Sequence, residues 1–491
     1  MNDEKRSRRI FNFTLALTIV LAFVFGFQTS GLMRLLSRQE RIPLWLSRAA
    51  SGLSYDVHAS PEGYSDSELG VLFEVLAHIS SSYLYGEDVD TQDVIYGASE
   101  GAVSALGDRY SRFVPPPDQQ VLTESIEGEY AGVGISIIDR PGVLPMMALG
   151  CEIEGGGDPE NIHFISNTTG VTVVQVFEEG PAYEVGLEPD DVIVCVDGTL
   201  LRGATTEEAA NNIKGPEGTI VQITIWRPGL QEELTFDVTR ERVQVPTIGA
   251  AEMLNDTVGY IRLDSFNNFT PSDVSQKIYE LFQDGMEGLI FDLRNNTGGP
   301  MTAAIQVSDL FISDGTLLYY ENNEGERETF VSDDGGARID IPLIVLVNGT
   351  TASASEIVAG AVRDTHTGLI VGEDTFGKGV VQNVYVLHDG SGLILTTGRY
   401  LTPDGNAITQ DGLEPDIRIE LDPEALRAED SQVDEFLNRL ERLNDEYVEL
   451  RQQMYDYLRD NDFQRDTALD LMSEWLETGM EPVAAETSSE E

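Results

Sequence analysis

The stretch Leu289-Ile-Phe-Asp-Leu-Arg-Asn-Asn-Thr-Gly-Gly299 decides the fold, because an almost wholly apolar run ends in a polar loop with two glycines. Strands that are covered on both faces have apolar runs of this kind. A second run, Leu343-Ile-Val-Leu-Val347, has the same character, and Leu369-Ile-Val-Gly372 is a shorter candidate. Helical stretches at Thr302–Ile312 and Ala354–Val362 lie between the runs. This region therefore predicts βαβ units and an α/β core.

A polar loop follows each of the three predicted strands. The loops are Asn295–Gly299, residues 348–356, and Glu373-Asp-Thr-Phe-Gly-Lys-Gly-Val-Val-Gln382. In open α/β sheets, ligands bind outside the carboxyl ends of the strands. We therefore expect the three loops to meet and to form one site.

Two serines, Ser353 and Ser355, open the helix that follows the second loop. Taken alone, either serine is an ordinary helix cap. The glycine pair favours another interpretation, because an oxyanion hole needs two N–H donors about 3 Å from the developing charge. Glycine permits the close backbone approach that such a hole requires. A serine at the first turn of a helix, with free N–H groups beside it, is then a candidate nucleophile.

A serine nucleophile also needs a base. The chain lacks a Gly-x-Ser-x-Gly elbow, and His366, the nearest histidine, lies in a polar turn. Lys378 is the better candidate, because lysines are scarce in this chain and this one stands between two glycines. A buried lysine can lose its proton, whereas arginine cannot. Lys378 could still be a turn lysine, and Gln382 could either orient the amine or be a plain strand residue.

The composition indicates a folded protein with a strongly acidic surface. The 491 residues include 85 acidic and 31 basic side chains, and the formal net charge is −54. This charge argues against nucleic acid and anionic lipid as main partners, because phosphate binding needs a basic surface. The sequence has no HExxH motif or Cys/His cluster, so we expect no metal and no other cofactor. Cys151 and Cys195 could form one disulfide or remain two thiols.

The N-terminus carries an apolar run from Ile10 to Phe27 after four basic residues. A run of this length, at about 1.5 Å per residue, spans nearly the hydrocarbon thickness of a bilayer. The run exceeds the apolar core of a usual signal peptide, and no good A-x-A cleavage site follows it. We therefore predict an uncleaved, single-pass anchor at 10–27 in the cell membrane, with a cleaved signal peptide as the alternative. Residues 1–9 would be a cytoplasmic tail, with the catalytic part outside the cytoplasm, either periplasmic or extracellular.

Local composition divides the rest of the chain. Residues 28–60 predict a linker, 61–127 a helical region, 423–480 a second helical region, and 481–491 an acidic, disordered tail. Between the helical regions, β-branched runs with glycine turns, such as Ile220-Val-Gln-Ile-Thr-Ile-Trp226, predict a β-rich module. The flanking helices could mediate a homodimer or pack on the chain's own core.

Five motifs, in order, resemble the C-terminal processing peptidases, or tail-specific proteases, of the S41 serine peptidase family. They are Gly259-Tyr-Ile-Arg-Leu-Asp-Ser-Phe266, Phe291–Gly299, Thr351-Ala-Ser-Ala-Ser-Glu-Ile-Val-Ala-Gly360, Phe376-Gly-Lys-Gly-Val-Val-Gln382 and Gly412-Leu-Glu-Pro-Asp416. The resemblance implies an α+β multidomain protein with helical flanking segments. Its protease core, at 241–422, would be an α/β domain of crotonase-like ββα type.

The resemblance also implies roles for individual residues. Ser353 matches the nucleophile, in preference to Ser355, and Lys378 matches the general base. Gln382 matches the residue that positions the lysine.

The oxyanion donors follow from the same resemblance. They match the backbone N–H groups of Ala354 and of either Gly298 or Gly299. Pro300 departs from the family pattern, which usually has leucine after the glycine pair.

The β-rich module, at 128–240, resembles a PDZ domain inserted ahead of the protease core. Glu129-Tyr-Ala-Gly-Val-Gly-Ile135 resembles the carboxylate-binding loop and its following strand. In such a domain, backbone amides capture a C-terminal carboxylate while the peptide adds to the sheet as a strand. Residues 139–164 would be an insertion that lengthens the module. The predicted peptide-binding residues are Ala131, Gly132, Val133, Gly134 and Ile135.

These expectations combine into one function. The chain would be a membrane-anchored serine endopeptidase that hydrolyses peptide bonds in unfolded or tail-exposed envelope proteins with a Ser–Lys dyad. Its PDZ domain would recognise the substrate's tail. The expected partners are protein and peptide substrates with exposed C-termini and the membrane, but not nucleic acid. The alternative function is that of an inactive, membrane-tethered PDZ binding or scaffold protein.

Overall fold

The computed structural model describes residues 66–85, 89–141, 169–178, 180–201, 203–228, 230, 232–332, 340–419 and 462–482. The chain divides into two compact units, residues 1–90 and 91–491. In the first unit, helix α1 (Asp66–Ser82) carries exposed apolar side chains, among them Val71 and Phe73. Every other element described below belongs to the second unit.

The elements of the second unit fall into two groups along the chain. Before residue 245 they are α2 (Thr91–Ser104), β1 (Arg112–Val114), α3 (Pro116–Glu127), β2 (Glu129–Gly132), β3 (Ile135–Pro141), β4 (Thr169–Val176), α4 (Pro181–Val185), β5 (Val192–Val196), β6 (Thr199–Leu200), α5 (Thr206–Ile213), β7 (Ile220–Arg227), β8 (Glu232–Thr239) and β9 (Glu241–Gln244). After it they are β10 (Ile248–Met253), β11 (Val258–Leu263), α6 (Thr270–Gln283), β12 (Gly288–Asp292), α7 (Met301–Phe311), β13 (Thr316–Asn322), β14 (Arg327–Val331), β15 (Leu343–Val347), α8 (Ala354–Asp364), β16 (Leu369–Gly372), β17 (Val380–Val386), β18 (Gly392–Leu401), β19 (Ile417–Arg418) and α9 (Phe463–Thr478).

The prediction of a single-pass membrane protein is corrected by the structure. Within the residues that the structure describes, no helix is both long enough and apolar enough to cross a membrane. A spanning helix needs about 20 predominantly apolar residues, whereas α1 has 17 residues, several of them polar or charged. The predicted anchor at 10–27 and the linker at 28–60 lie outside the described residues. The localisation that was predicted from that anchor is therefore withdrawn.

A six-stranded sheet forms the centre of the second unit. Its spatial order is β10-β11-β12-β15-β16-β19, and every neighbouring pair except β10–β11 is parallel. All residues of β12 and β15 are buried. Their sequences are continuous apolar runs because both faces of these strands are covered.

Helices cover both faces of the central sheet. On one face, α6, α7 and α8 share a core with Phe291, to which Val307 and Val358 belong. On the other face, α9 buries Met472 against Ile290. The sheet is thus the middle of three layers.

A second, antiparallel sheet contains β1, β13, β14, β17 and β18, with β18 as the common partner of β1, β13 and β17. The pairing places Arg112 opposite Ile394. It thereby fixes the segment that precedes β1 relative to the loop that leads into β17.

The β-rich module has a sheet and a core of its own. The order of its main strands is β3-β4-β5-β7-β8, and β3 lies at the edge, with β4 as its described partner. Helix α5 begins with a capping box, in which the Glu208 N–H donates to Thr205 Oγ1 and the Thr205 N–H donates to the Glu208 carboxylate. Cys195 is buried and disulfide-bonded, and Cys151 lies outside the described residues.

The mixed α/β architecture predicted from the sequence is confirmed. The helices expected at 302–312 and 354–362 are found as α7 and α8, each within a few residues of its predicted ends. The finer class, a crotonase-like ββα core, stays a prediction. Much of the predicted insertion and of the C-terminal helical region lies outside the described residues.

Candidate active site

The three predicted loops meet at one edge of the central sheet. Since β12, β15 and β16 are parallel neighbours, the loops that follow them leave from the same edge. The Ala352 N–H donates to Asn296 O at 3.0 Å, and the Phe376 N–H donates to Thr351 O at 3.0 Å. The middle loop is therefore bonded to both of the others, as the order of strands led us to expect.

Ser353 precedes the first residue of α8 and borders a cavity beside these loops. Its φ is +57°, a left-handed value that residues other than glycine seldom adopt. Ser355 is fully buried, and its hydroxyl donates to Asn296 O at 3.1 Å. His366 is exposed and lies beyond the opposite end of α8. Of these three candidates, Ser353 is the one that lines the cavity.

The N–H groups of the two glycines have different environments. The Gly298 N–H donates to Asn296 Oδ1 at 2.8 Å. Those of Gly299 and Ala354 have no hydrogen-bond partner within the described part of the chain. Gly298 is also pressed against the predicted nucleophile, since a β-carbon there would lie 2.8 Å from Ala354 N and 2.9 Å from Ser353 Cβ. Only glycine permits this approach. Within the described residues, the N–H groups beside Ser353 that have no acceptor are those of Gly299 and Ala354.

Asn296 holds the glycine loop in place, and the sequence analysis gave it no role. Its side chain is fully buried, and its amide nitrogen donates to Leu263 O at 2.7 Å. Its carbonyl oxygen accepts the Ala352 N–H, while its Oδ1 accepts the Gly298 N–H. Asn296 thus fixes the glycine loop to β11 through its side chain and to the loop that carries Ser353 through its backbone.

Lys378 is half-buried in the same cavity. Its Nζ lies 5.2 Å from the centroid of the Tyr110 ring, and no hydrogen bond joins it to the Ser353 hydroxyl in the described structure. Burial lowers the pKa of Lys378 below its ordinary value, and the positive charge of Arg112 lowers it further, against the opposing charge of Glu356. A lysine with a lowered pKa is better suited to accept a proton near neutral pH.

Glu356 connects the loop of the predicted nucleophile with that of the predicted base. Its carboxylate is fully buried and accepts the N–H groups of Ser353 at 2.8 Å, Gly377 at 2.8 Å and Lys378 at 2.9 Å. It also accepts the Thr375 hydroxyl at 2.5 Å. Because one carboxylate accepts bonds from both loops, it can hold the two loops in register.

Tyr400 closes the arrangement from β18. Its ring is buried, and its hydroxyl lies against the carbonyl oxygens of Lys378 and Ser353, the latter at 3.2 Å. Burial raises the pKa of Tyr400 well above its ordinary value, with a further contribution from the charge of Glu356. The phenol therefore remains protonated and acts as a hydrogen-bond donor.

Gln382 lines the cavity, but it is not bonded to Lys378. Its side-chain nitrogen lies 3.4 Å from Thr396 Oγ1 on the neighbouring strand. The structure thus brings Gln382 to the same cavity as Ser353 and Lys378 without the contact to the amine that was expected.

The cavity extends from Ser353 into the β-rich module and has a volume of about 870 Å³. Of the five predicted peptide-binding residues, Val133 and Ile135 line it. Ala131 and Gly132 instead lie on β2 and pair with β9. Gly134 packs closely on Gly180, because a β-carbon added to Gly134 would lie 3.3 Å from the Cα atom of Gly180. Ile137 on β3 and Ile213 on α5 complete an apolar groove between the edge strand and that helix.

Two signals in the sequence could have identified the residues that were missed. Glu356 follows Ser353 by three residues, which is the spacing of a helix capping box. Asn296 lies in the loop after β12, two residues before Gly298, and an asparagine in a loop commonly bonds to the backbone two residues on. Tyr110 and Tyr400 gave no such signal, because they reach the site from distant positions in the sequence.

Comparisons with known proteins agree with this arrangement. The model of peptidase family S41 matches residues 257–419, and that of the PDZ domain matches residues 172–227. The three loops and every strand of the central sheet except β10 fall within the first match.

Similar proteins are found among curated sequences and solved structures. The chloroplastic C-terminal processing peptidase of Tetradesmus obliquus is 33% identical, over 71% of this chain and 72% of that protein. The carboxyl-terminal-processing protease of Synechocystis is 33% identical, over 66% of this chain and 71% of that protein. The solved structure of a photosystem II D1 C-terminal processing protease is 32% identical, covers 71% of this chain and 87% of its own, and has a TM-score of 0.39. The chain therefore belongs to peptidase family S41, among the carboxyl-terminal processing proteases.

Proposed function

We propose that this protein is a serine endopeptidase that processes the C-terminal parts of other proteins, with Ser353 as nucleophile and Lys378 as general base. The observation that carries the proposal is that the groups needed for catalysis line one cavity. Ser353, Lys378 and Gly299 all line it, and the free N–H group of Ala354 is adjacent to Ser353 in sequence. A nucleophile, a base of lowered pKa and two unpartnered donors are the parts that acyl transfer requires.

The reaction follows from these parts. The neutral Lys378 amine takes the proton of the Ser353 hydroxyl as its oxygen attacks the substrate's carbonyl carbon. The N–H groups of Gly299 and Ala354 stabilise the negative charge on the carbonyl oxygen. The lysine then gives its proton to the leaving amine, and water hydrolyses the acyl-enzyme by the reverse sequence.

Before the reaction can begin, the Lys378 amine has to approach the Ser353 hydroxyl. Because no hydrogen bond links the two side chains in the described structure, Lys378 has to turn from the Tyr110 ring towards Ser353 before catalysis. We assign the orientation of the turned amine to Gln382, which lines the same cavity.

Substrate selection is assigned to the PDZ domain, for which we propose the boundaries 128–240, ahead of a protease core at 241–422. The supporting observation is that one edge of β3 has no strand partner among the described residues and borders an apolar groove that continues to Ser353. A peptide that adds to this edge as a strand would enter the same cavity. Homodimerisation through the flanking helices stays a prediction.

Cleavage of an unstructured peptide, followed by mass spectrometry, tests the proposal. Ser353→Ala and Lys378→Ala should each abolish cleavage while the peptide still binds. Lys277→Ala is the matched control, since that lysine is exposed and paired with Glu280. Cleavage by Ser353→Ala at the rate of the unmodified protein would refute the assignment. Binding without cleavage by the unmodified protein would favour the alternative, a PDZ scaffold.

A further inference from the structure

We infer that Arg109 and Arg112 form a subsite for a carboxylate group of the substrate, next to Ser353. The inference deepens the proposed function and rests on it. The ligand would be either the terminal carboxylate of the peptide or the side chain of an aspartate or glutamate near the cleaved bond.

The first observation concerns the pairing of positive charges. Among the arginine and lysine side chains that the structure describes, all but three form ion pairs with carboxylates; Arg242 with Glu129 is one example. The three without such a partner are Arg109, Arg112 and Lys378. In a chain with 85 acidic and 31 basic residues, carboxylates are abundant. Three cations without one therefore call for an explanation.

The second observation is their location, since all three line the cavity that contains Ser353. The one carboxylate that borders this cavity in the described structure is Glu124, and it is paired with Lys214 at 2.7 Å. Among the described residues, the lining on the protease side of the cavity therefore contains no carboxylate that pairs with Arg109 or Arg112.

Arg109 is held in place although it lacks an ion pair. Its guanidinium lies over the Tyr110 ring at 4.6 Å and over the Phe376 ring at 5.6 Å, and it donates to the Tyr110 hydroxyl. A guanidinium stacked on rings keeps its remaining N–H donors in one plane, where they match the two oxygens of a carboxylate. The backbone of Arg112 is fixed by its pairing with Ile394 at the start of β1, and its side chain is exposed.

The net charge of the whole chain suggests what Arg109 and Arg112 do. A net charge of −54 repels acidic peptides from most of the surface. A cavity lined by unpaired cations attracts the same peptides locally, so acidic or free-ended segments would be drawn to Ser353. Lys378 serves as the base in this scheme, so we assign the carboxylate to the two arginines.

Pairs of peptides that differ in one charge test the inference. A single glutamate is moved through four positions on each side of the cleaved bond, with glutamine as its neutral counterpart, and a free C-terminus is compared with an amidated one. The unmodified protein should have a kcat/KM about fivefold higher for at least one charged member of a pair. In the Arg109→Gln/Arg112→Gln double variant that ratio should fall to near one. The ratio cancels any effect that the variant has on Lys378, since both members of a pair share it.

The controls separate a carboxylate site from a general change of charge. Arg327→Gln, on β14 and outside the cavity lining, should keep the full ratio. Arg109→Lys/Arg112→Lys should keep most of it. A response in the glutamate series assigns the site to a side chain, and a response in the free-end pair alone assigns it to the terminal carboxylate.

Equal rates within every pair for the unmodified protein, or an unchanged ratio in the double glutamine variant, would overturn the inference while leaving the proposed function intact. Binding of the same pairs to Ser353→Ala, followed by fluorescence anisotropy, tests the subsite without turnover. The charged preference should appear there and be lost with the arginines; if binding shows no such preference, the subsite is refuted.

Discussion

Around Ser353 the backbone is tied by buried hydrogen bonds on every side, whereas the amine of Lys378 is held only by burial and by the face of one ring. Glu356 and Asn296 accept or donate the bonds that fix the proposed nucleophile and the glycine loop. On the side of the proposed base, Lys378 Nζ lies 5.2 Å from the Tyr110 centroid and has no hydrogen bond within the described part of the chain.

This difference suggests a division of labour between the two regions. Donors that stabilise a developing charge work best when they are fixed in advance. A base has to move its proton and must therefore be able to change position. We expect substitutions of the residues that fix the Ser353 loop to have large effects, and substitutions of the residues around Lys378, as opposed to Lys378 itself, to have small, pH-dependent ones.

Glu356→Ala should break the fixed region most severely. It leaves the buried N–H groups of Ser353, Gly377 and Lys378 without an acceptor, and each such group costs about 1–3 kcal/mol. We expect the free energy of unfolding in urea to fall by about 4 kcal/mol and kcat/KM to fall by at least about 1000-fold. Glu280→Ala, on the exposed face of α6, should change neither quantity. Near-normal cleavage by Glu356→Ala would contradict the proposed role.

Asn296→Ala should have the next largest effect. It removes the bond to Leu263 O and the acceptor of the Gly298 N–H, which frees the glycine loop. We expect kcat to fall by about 100-fold, with a loss of about 2 kcal/mol in unfolding free energy. Asn212→Ala on α5, which removes an exposed amide, serves as the control. A stability loss without a loss of kcat would show that the loop does not need this anchor.

Asp462→Asn tests whether the ion pair between Arg294 and Asp462 also stabilises the fold next to the glycine loop. Arg294 precedes the glycine loop and bonds to both Asp292 and Asp462, the N-cap of α9, each at 2.6 Å. Burial acts to raise the pKa of Asp462, but the hydrogen bond and charge of Arg294 outweigh it and hold that pKa below its usual value. We expect the variant to lose about 2 kcal/mol at pH 7, because Asp292 still compensates part of the arginine's charge.

The pH dependence of that loss has a definite sign. A carboxyl group with a lowered pKa in the folded state stabilises the fold above its unfolded pKa of about 3.9. The stabilisation is lost as the pH falls through the lower folded value. Urea unfolding should therefore show a constant difference between variant and unmodified protein from about pH 5 upwards, and little difference well below pH 3. A difference that persists in strong acid would refute the ion pair as its cause.

Tyr110→Leu should have the smallest effect on kcat/KM. It removes the ring that lies beside the Lys378 amine. The ring favours the charged form of Lys378, so its removal should lower the pKa of the lysine. The acidic limb of the kcat/KM profile should move to lower pH with it. Arg112→Gln should move it to higher pH, since Arg112 disfavours the ammonium. Tyr110→Phe keeps the ring and should leave the profile in place.

The scarcity of lysine permits a direct measurement of that shift. Protein labelled with ¹³C only in lysine can be titrated by NMR, and Lys378→Arg identifies its signal among the few that appear. The Lys277 signal, from an exposed lysine paired with Glu280, is an internal reference that should not move. Equal titration of Lys378 in all Tyr110 variants would exclude a role for the ring.

The sequence was sufficient for three strands of the central sheet, β12, β15 and β16, because that prediction depended on local patterns. Continuous apolar runs such as Leu343–Val347 are characteristic of strands buried on both faces. The choice between Ser353 and Ser355 could not be made locally, since both open the same helix. It depended on family resemblance, and the structure separates them by burial and by the bond from Ser355 to Asn296.

The rest of the site could not be predicted because it is formed by tertiary contacts. Tyr110 reaches Lys378 through the pairing of β1 with β18, and Arg294 reaches Asp462 across 168 positions. Nothing in the local sequence specifies such pairs. The absence of a bond between Gln382 and Lys378 likewise depends on side-chain orientation, which spacing along a strand does not determine.

The backbone of Ser353 has a consequence for the balance between folding and activity. At φ +57° and ψ −114° the serine adopts a conformation that suits glycine, and a side chain there costs about 1–3 kcal/mol. The protein therefore carries a permanent conformational penalty at its proposed nucleophile. Ser353→Gly should resist urea better than Ser353→Ala while neither cleaves a peptide, and equal resistance would show that the strain is absent. In such a site, selection for stability alone would remove the nucleophile.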